Sequence, residues 1–331
     1  MTGRQEHTEE IYRKIRKVIA RQDSQVVEDY YNGYLRGVKQ PTTSLVFLQR
    51  VVRFTKWLKG EGYDINKYKT FKEIKPLTIN SFMNAISVKV RSDGTEKAIS
   101  SASKENMLIA LRDFFSFLKD NEFISVNPCD KVKIQKEHVI NDIVYMTQED
   151  IQKVRDNIIE NSECKERDLA IFTVGIRTGL RATAITEINM ENIDRKSMTI
   201  RGIIEKGNRE RVVYITQDTL DIIDEWLAVR PKCDTNALFT RKMLRGNQCG
   251  EYVRLRQIDI GKMIDKFTAI LDKHYTPHKM RHTFGTQVYS KTGDIFLTAE
   301  LLGHKNIQNT RRYAAVCDDK KKEVASMLDA L

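Results

Sequence analysis

Long apolar runs are missing from this 331-residue chain. Nothing approaches the roughly 18 consecutive apolar residues of a membrane-crossing helix, so membrane partners are excluded. Met1 to Glu10 are polar and acidic with no apolar centre, which excludes a secretory signal. The expected location is therefore the cytoplasm, or a nucleus-like compartment. Cysteine is sparse as well. Cys129, Cys164, Cys233, Cys249 and Cys317 are odd in number, scattered and never paired as C-x-x-C, so neither a disulfide framework nor a thiolate zinc site is expected. Internal repeats and low-complexity tracts are absent. The spacing Gly202-x-x-x-x-Gly207 lacks the Lys-Ser/Thr that a phosphate loop needs, which removes ATP as a cofactor.

What is present is a globular composition, 40% hydrophobic and 31% charged, in a chain long enough for two domains. The net charge is +11. Residues 1–140 hold 25 Lys and Arg against 17 Asp and Glu, and residues 141–331 hold 31 against 28, so the excess lies in the first part. A basic surface attracts polyanions and steers their approach.

Residues 1–22 read as a charged helix, with Ile11, Ile15 and Ile19 in a stripe too narrow to fold alone, and so as an extension or assembly element. Residues 23–128 form a helical domain. Phe47, Val51, Phe54 and Leu58 share one helix face, as do Ile79, Phe82, Ile86 and Val90, and then Met107, Leu111, Phe114 and Leu118. Arg91 to Lys97, with Gly94, reads as a connection. Residues 129–146 read as a basic, irregular linker. A second domain, 147–316, starts at Thr147, a cap candidate with Asp150 three residues on. It is helical apart from a hairpin, Met198 to Ile204 and Arg209 to Ile215, turning at Lys206, Gly207 and Asn208. The expected fold is mainly α with a small sheet in an α+β second domain. Residues 317–331 form a tail helix too short to be stable alone.

Four clusters in the second domain carry polar residues of interest. Thr178, Gly179, Leu180 and Arg181 place an arginine just after a turn. Lys206 sits at the hairpin tip, where a basic hairpin can reach a DNA groove. Thr276, Pro277, His278, Lys279, Met280, Arg281 and His282 open a helix, with Thr276 able to cap it and His278 and Arg281 three apart on one face, aimed at one ligand. The four-residue spacing of His278 and His282 suits zinc, but Lys279 stands where a zinc protease has glutamate and no third ligand is evident. The last cluster joins Leu301, Leu302, Gly303 and His304 to Thr310 and Tyr313, with Gly303 closing one helix and Tyr313 on the next.

Taken together, TGLRATAITEI, EKGNRERVV, HKMRHTF, LLGHKN and TRRYAAV resemble the tyrosine recombinase or phage integrase family, in a simple Xer-like two-domain form. The resemblance is dense over 147–320. It is looser in the first half, where YLRGVKQPTTSLVFLQRVVRFTKWL looks like the start of the family's helical core-binding, SAM-like domain. It implies a C-shaped clamp around double-stranded DNA recombination sites, with four protomers exchanging strands through a Holliday junction, and accessory DNA-bending or directionality proteins as further partners. The implied catalytic set is Arg181, Lys206, His278, Arg281, His304 and Tyr313. Tyr313 is the nucleophile, the arginines hold the phosphate, the histidines hydrogen-bond it with His278 also taking the tyrosine's proton, and Lys206 protonates the departing oxygen. No metal or other cofactor is implied. DNA contacts are expected from Lys39, Thr42, Arg50, Arg53, Lys104 and Arg112 in the first domain and from Arg209, Arg211 and Lys279 in the second. The tail is expected to fold back on its own domain or to dock in a neighbouring protomer, as the family's tails commonly do. One position departs: Ala184 stands where the family usually has an acidic residue, with Glu187 one turn further on. The competing readings are a type IB topoisomerase and a DNA-binding regulator without catalysis.

Overall fold

In the computed structural model, residues 3–90, 96–135, 143–205, 209–245 and 248–316 are described. They fall into two compact units, drawn from residues 5–140 and 141–331. Among them no helix is long and apolar enough to cross a membrane.

The first unit is helical: α1 (Gly3–Ile19), α2 (Gln25–Tyr30), a π-turn (Tyr31–Leu35), α3 (Arg36–Val38), α4 (Pro41–Gly60), α5 (Tyr68–Lys72), α6 (Pro76–Ala85) and α7 (Ser101–Asp120). Prolines open α4 and α6, where a missing N–H costs nothing. Ser100 caps α7 by accepting from the Ser103 amide. The apolar stripes meet in an aromatic core in which Phe54, Phe82, Phe114 and Phe115 are buried, with Phe54 edge-on to Phe82 and to Phe115.

Three expectations change in this unit. Ile11 and Ile15 of α1 are buried in this core, so the first helix is part of the bundle. The stripe through Ile79, Phe82 and Ile86 stops before Val90, because α6 ends at Ala85 and Val90 belongs to β1 (Val88–Val90), paired with β2 (Glu96–Ala98). The segment read as a connection thus carries a strand, although 91–95 lie outside the described residues. Cys129 and Val132, read as linker, are core residues; Arg112 of α7 donates to both of their carbonyls, at 3.4 and 2.9 Å.

The second unit begins with α8 (Gln148–Asn161), and the capping box at Thr147 and Asp150 is formed as its spacing predicts. Then follow α9 (Lys165–Thr178), α10 (Ala182–Glu187), a 3₁₀ turn (Met190–Asn192), β3 (Ile193–Asp194), β4 (Thr199–Glu205), β5 (Arg209–Tyr214) and α11 (Gln217–Val229). The hairpin β4–β5 is joined by β3 into a three-stranded antiparallel sheet. A short hairpin, β6 (Thr240–Lys242) and β7 (Tyr252–Arg254), precedes α12 (Gln257–Thr268), α13 (Pro277–Thr292), α14 (Ile295–Leu302) and α15 (Gln308–Val316). The core gathers around α9, which is buried along most of its length and packs on α8, α11 and α13. Helix α13 opens at Pro277, but the Thr276 hydroxyl makes no capping bond.

Candidate active site

The polar clusters converge where α9 and α14 end beside α13. Gly179 terminates α9 at φ +60°, and a Cβ there would lie 2.4 Å from the ring of Phe284. Both the left-handed backbone and the close approach require glycine. Gly303 ends α14 in the same conformation. Helix ends present carbonyls with no intrahelical partner and a partial negative charge, which cations satisfy. Two arginines do so here. Arg281, 1% exposed, donates to the carbonyl of Gly179 at 2.7 Å and to that of Leu302. Arg211 of β5 donates to the carbonyls of Thr178 and Leu301. The guanidinium of Arg281 therefore ties three of the four clusters together, and its position is set by the fold before any ligand arrives.

Arg181 occupies the N-cap of α10, half-buried. His278 is one turn before Arg281, its ring edge-on to His282 at 4.5 Å and open to solvent on one side. His304 bonds through Nδ1 to the Thr310 hydroxyl at 2.8 Å, which fixes its ring. Tyr313 on α15 is 1% exposed. Its ring lies so close to α13 that a Cβ on Gly285 would sit 2.6 Å from it, and its hydroxyl is 3.0 Å from Nδ1 of His282.

The electrostatics follow from burial among cations. His304 is pushed down to about 4, first by loss of solvent and then by Arg281, Arg181, Arg312 and His278. His282 is likewise pushed down to about 4, by burial and then by His278, Arg312, Arg281 and Lys279. His278 is lowered by burial and by Arg281, Arg312 and Arg181. These imidazoles are neutral at pH 7, each with one N–H donor and one nitrogen acceptor. Burial raises the pKa of Tyr313, while Arg281 and Arg312 pull the other way. Together Arg181, Arg281, His278, His304 and Tyr313 form one cluster suited to a phosphate: two planar cationic forks, neutral donors and a phenol.

Lys206 is outside the described residues, as is the side chain of Arg209, although Arg209 begins β5. Thr42 and Arg53 are exposed on α4, and Lys104 is half-buried on α7. Lys39 pairs with Asp113 at 2.7 Å, Arg50 donates to the carbonyl of Asn106 at 2.8 Å, and Lys279 donates to the carbonyl of His274. Arg112 and Arg211 hold the carbonyls named above. Ala184 is buried on α10. Two residues of the cluster were not in the expected set. His282 entered only as half of a zinc pair, yet it touches the tyrosine; among the described residues no group of three or more metal-ligating side chains forms. Arg312, next to the tyrosine in TRRY, acts on all three histidines. Away from the cluster, a cavity of about 730 Å³ is lined by Arg241, Lys242, Arg245, Arg256 and Lys262, partly offset by Asp168 and Asp259.

The model of the family described as "Phage integrase family" matches residues 144–320. The chain belongs to that family. It is a site-specific recombinase of the tyrosine type. Among curated relatives, the tyrosine recombinase XerC of Caldanaerobacter subterraneus subsp. tengcongensis is 28% identical over 314 residues, covering 91% of this chain and 86% of its own. The XerC of Actinobacillus pleuropneumoniae serotype 7 is 31% identical over 287 residues, covering 86% and 87%. Among solved structures, the XerH site-specific recombinase in a post-cleavage complex with palindromic difH superposes with a TM-score of 0.66 at 19% identity, covering 92% of this chain and 84% of that one. The Tn1549 transposon integrase with transposon right end DNA gives 0.64 at 18%, covering 92% and 99%. These two likenesses establish the shared fold. The relatives named here are recombinases, not topoisomerases or regulators.

Proposed function

We propose that this recombinase cuts one strand of duplex DNA by attack of the Tyr313 hydroxyl oxygen on a backbone phosphate. A 3′-phosphotyrosyl bond results, and reversal of the step rejoins the strand. The observation that carries this reading is a buried phenol in a cluster with Arg181, Arg281, His278 and His304, brought together from four separate sequence motifs. Attack on a phosphodiester concentrates negative charge on the phosphoryl oxygens, and fixed cations lower that barrier without reorganising. Guanidinium forks donate two parallel bonds to phosphate and never lose their proton. The anchoring of Arg281 on two helix ends supplies the rigidity. His278 and His304, held neutral, serve as N–H donors to the same oxygens. Lys206 is assigned the protonation of the departing 5′ oxygen. The phosphotyrosyl ester stores the bond energy, so a 5′ hydroxyl of another strand completes exchange without ATP.

In this reading four protomers act on two sites through a Holliday junction, with residues 23–128 as the core-binding domain and 147–316 as the catalytic one. Thr42, Arg53 and Lys104 are assigned contacts with the duplex backbone, while Lys279 holds the carbonyl of His274. Lys39, Arg50, Arg112 and Arg211 hold protein carbonyls or carboxylates and support the fold. The tail, 317–331, lies outside the described residues; its docking in a neighbour would make cleavage depend on assembly. Integration of a mobile element and resolution of chromosome dimers use the same chemistry, and repeats flanking the gene distinguish them.

The test starts from a randomised duplex library. Covalent adducts formed by the unaltered protein are selected, and the recovered duplex, nicked beside the cut, becomes a trapping substrate. Tyr313→Phe is expected to bind that duplex normally and to form no adduct. Adducts on the Phe variant would overturn the assignment.

A further inference from the structure

Among the described residues, His282 is the one whose ring nitrogen reaches the oxygen of the nucleophile. Nδ1 stands 3.0 Å from the Tyr313 hydroxyl, within the range a proton acceptor needs. His304 uses its Nδ1 on Thr310, and His278, which the family resemblance implied would take this proton, instead meets the ring of His282 edge-on. We infer that His282 accepts the phenolic proton of Tyr313 as its oxygen attacks the phosphate, and returns that proton when the strand is rejoined. The inference rests on the reading of Tyr313 as nucleophile given above.

The step balances. The O–H bond of Tyr313 breaks and an N–H bond forms at Nδ1 of His282. The tyrosyl oxygen bonds to phosphorus, the bond from phosphorus to the 5′ oxygen breaks, and that oxygen takes a proton from a separate acid, the role assigned to Lys206. Rejoining runs each change in reverse.

Several features of the fold prepare this transfer. His282 and Gly285 lie three apart on α13 and so share a face. Gly285 lets the ring of Tyr313 lie against the helix, which carries the hydroxyl up to the imidazole. The imidazole is neutral at pH 7, so with its proton on the far nitrogen Nδ1 has a lone pair for the hydroxyl. In the resting site complete transfer is uphill, because burial raises the phenol, and burial together with the neighbouring cations lowers the imidazole. The proton therefore moves as the oxygen–phosphorus bond forms and the charge on oxygen is drawn off. Substrate assists. A phosphate anion beside Arg281 and Arg312 offsets the charges that add to burial in holding His282 down.

The experiment measures single-turnover adduct formation on the selected nicked duplex, with DNA affinity and melting temperature recorded for each variant. His282→Phe keeps a buried ring but no acceptor, and is expected to bind normally and to react about 10²-fold slower or worse. His282→Asn offers the hydroxyl an acceptor of negligible basicity. It is expected to remain slow, which a purely positioning role would not produce, and it carries the comparison if the Phe variant does not fold. A difluorinated tyrosine at position 313, more acidic than tyrosine, is expected to restore His282→Phe roughly 10-fold while changing the parent protein much less, as Brønsted behaviour requires. Wild-type rates from His282→Phe, full recovery in His282→Asn, or equal acceleration of both backgrounds by fluorination would each overturn the proposal. Adducts from Tyr313→Phe would instead remove the nucleophile on which it rests, a separate and recognisable failure.

Discussion

Each unit buries a tyrosine whose hydroxyl is hydrogen-bonded, and the two phenols have opposite surroundings. Tyr30, in the first unit, donates to the Asp113 carboxylate at 2.6 Å, while Tyr313, in the second, meets the neutral nitrogen of His282 at 3.0 Å. Burial raises both pKa values and is the largest contribution to each. The neighbours then diverge. Asp113 raises Tyr30 further, well beyond the usual phenol range, whereas Arg281 and Arg312 oppose the rise at Tyr313. A buried phenol is thus a structural strut beside an anion and a candidate nucleophile beside cations. The surrounding charge decides the role, since burial acts on both alike.

The comparison breaks most sharply at Arg281. Arg281→Lys removes the two-pronged donor while keeping a charge, and adduct formation on the selected nicked duplex is expected to fall about 10²- to 10³-fold. The carbonyls of Gly179 and Leu302 also lose their partner, so exchange protection at the ends of α9 and α14 should weaken with it. A rate close to the parent's would show Arg281 to be purely structural.

Asp113 gives the reciprocal case. Asp113→Asn takes a charged acceptor from Tyr30 and the partner from Lys39, which should destabilise the first unit by about 1.5–3 kcal/mol in urea unfolding. Adduct formation at saturating DNA should not change. A matching loss of rate would mean that the first tyrosine has a part in the chemistry.

Lowering the pH separates the units more gently. The depressed histidines, His282 and His304, sit near 4 against an ordinary 6.5. As pH drops below about 6.5 the unfolded chain takes up protons that the folded unit refuses. Their cost is absent above that value and grows toward about 4. Asp23 and Asp64 of the first unit are held below their ordinary value, so they titrate at lower pH still. Hydrogen exchange on the whole chain between pH 7 and 5 should therefore loosen α13–α15 before α4 and α7. Parallel loosening of both would show that the buried histidines carry no such penalty.

Sequence by itself determined what depends on neighbours along the chain. Helical stripes such as Phe47, Val51, Phe54 and Leu58, the capping box at Thr147 and the β4–β5 hairpin arise from periodicity and local hydrogen bonding, which a few adjacent residues specify. The motifs around Arg181, Arg281, His304 and Tyr313 stood out for a different reason, since their text in that order resembles the motifs of the tyrosine recombinase family. Tertiary structure decided the partners. That Cys129 and Val132 close the first core and that the guanidinium of Arg281 spans the ends of α9 and α14 depend on elements brought together from 17 or more positions away, whereas α6 stops short of Val90 because β1 pairs with β2 six to ten positions on. The contact of His282 with Tyr313 bridges 31 positions. Side by side in sequence, Arg281 and His282 differ little as signals; the packing of α15 on α13 at Gly285 singles out the second as the neighbour of the phenol, because hydrogen bonding needs atoms within about 3 Å and only the folded chain sets that distance.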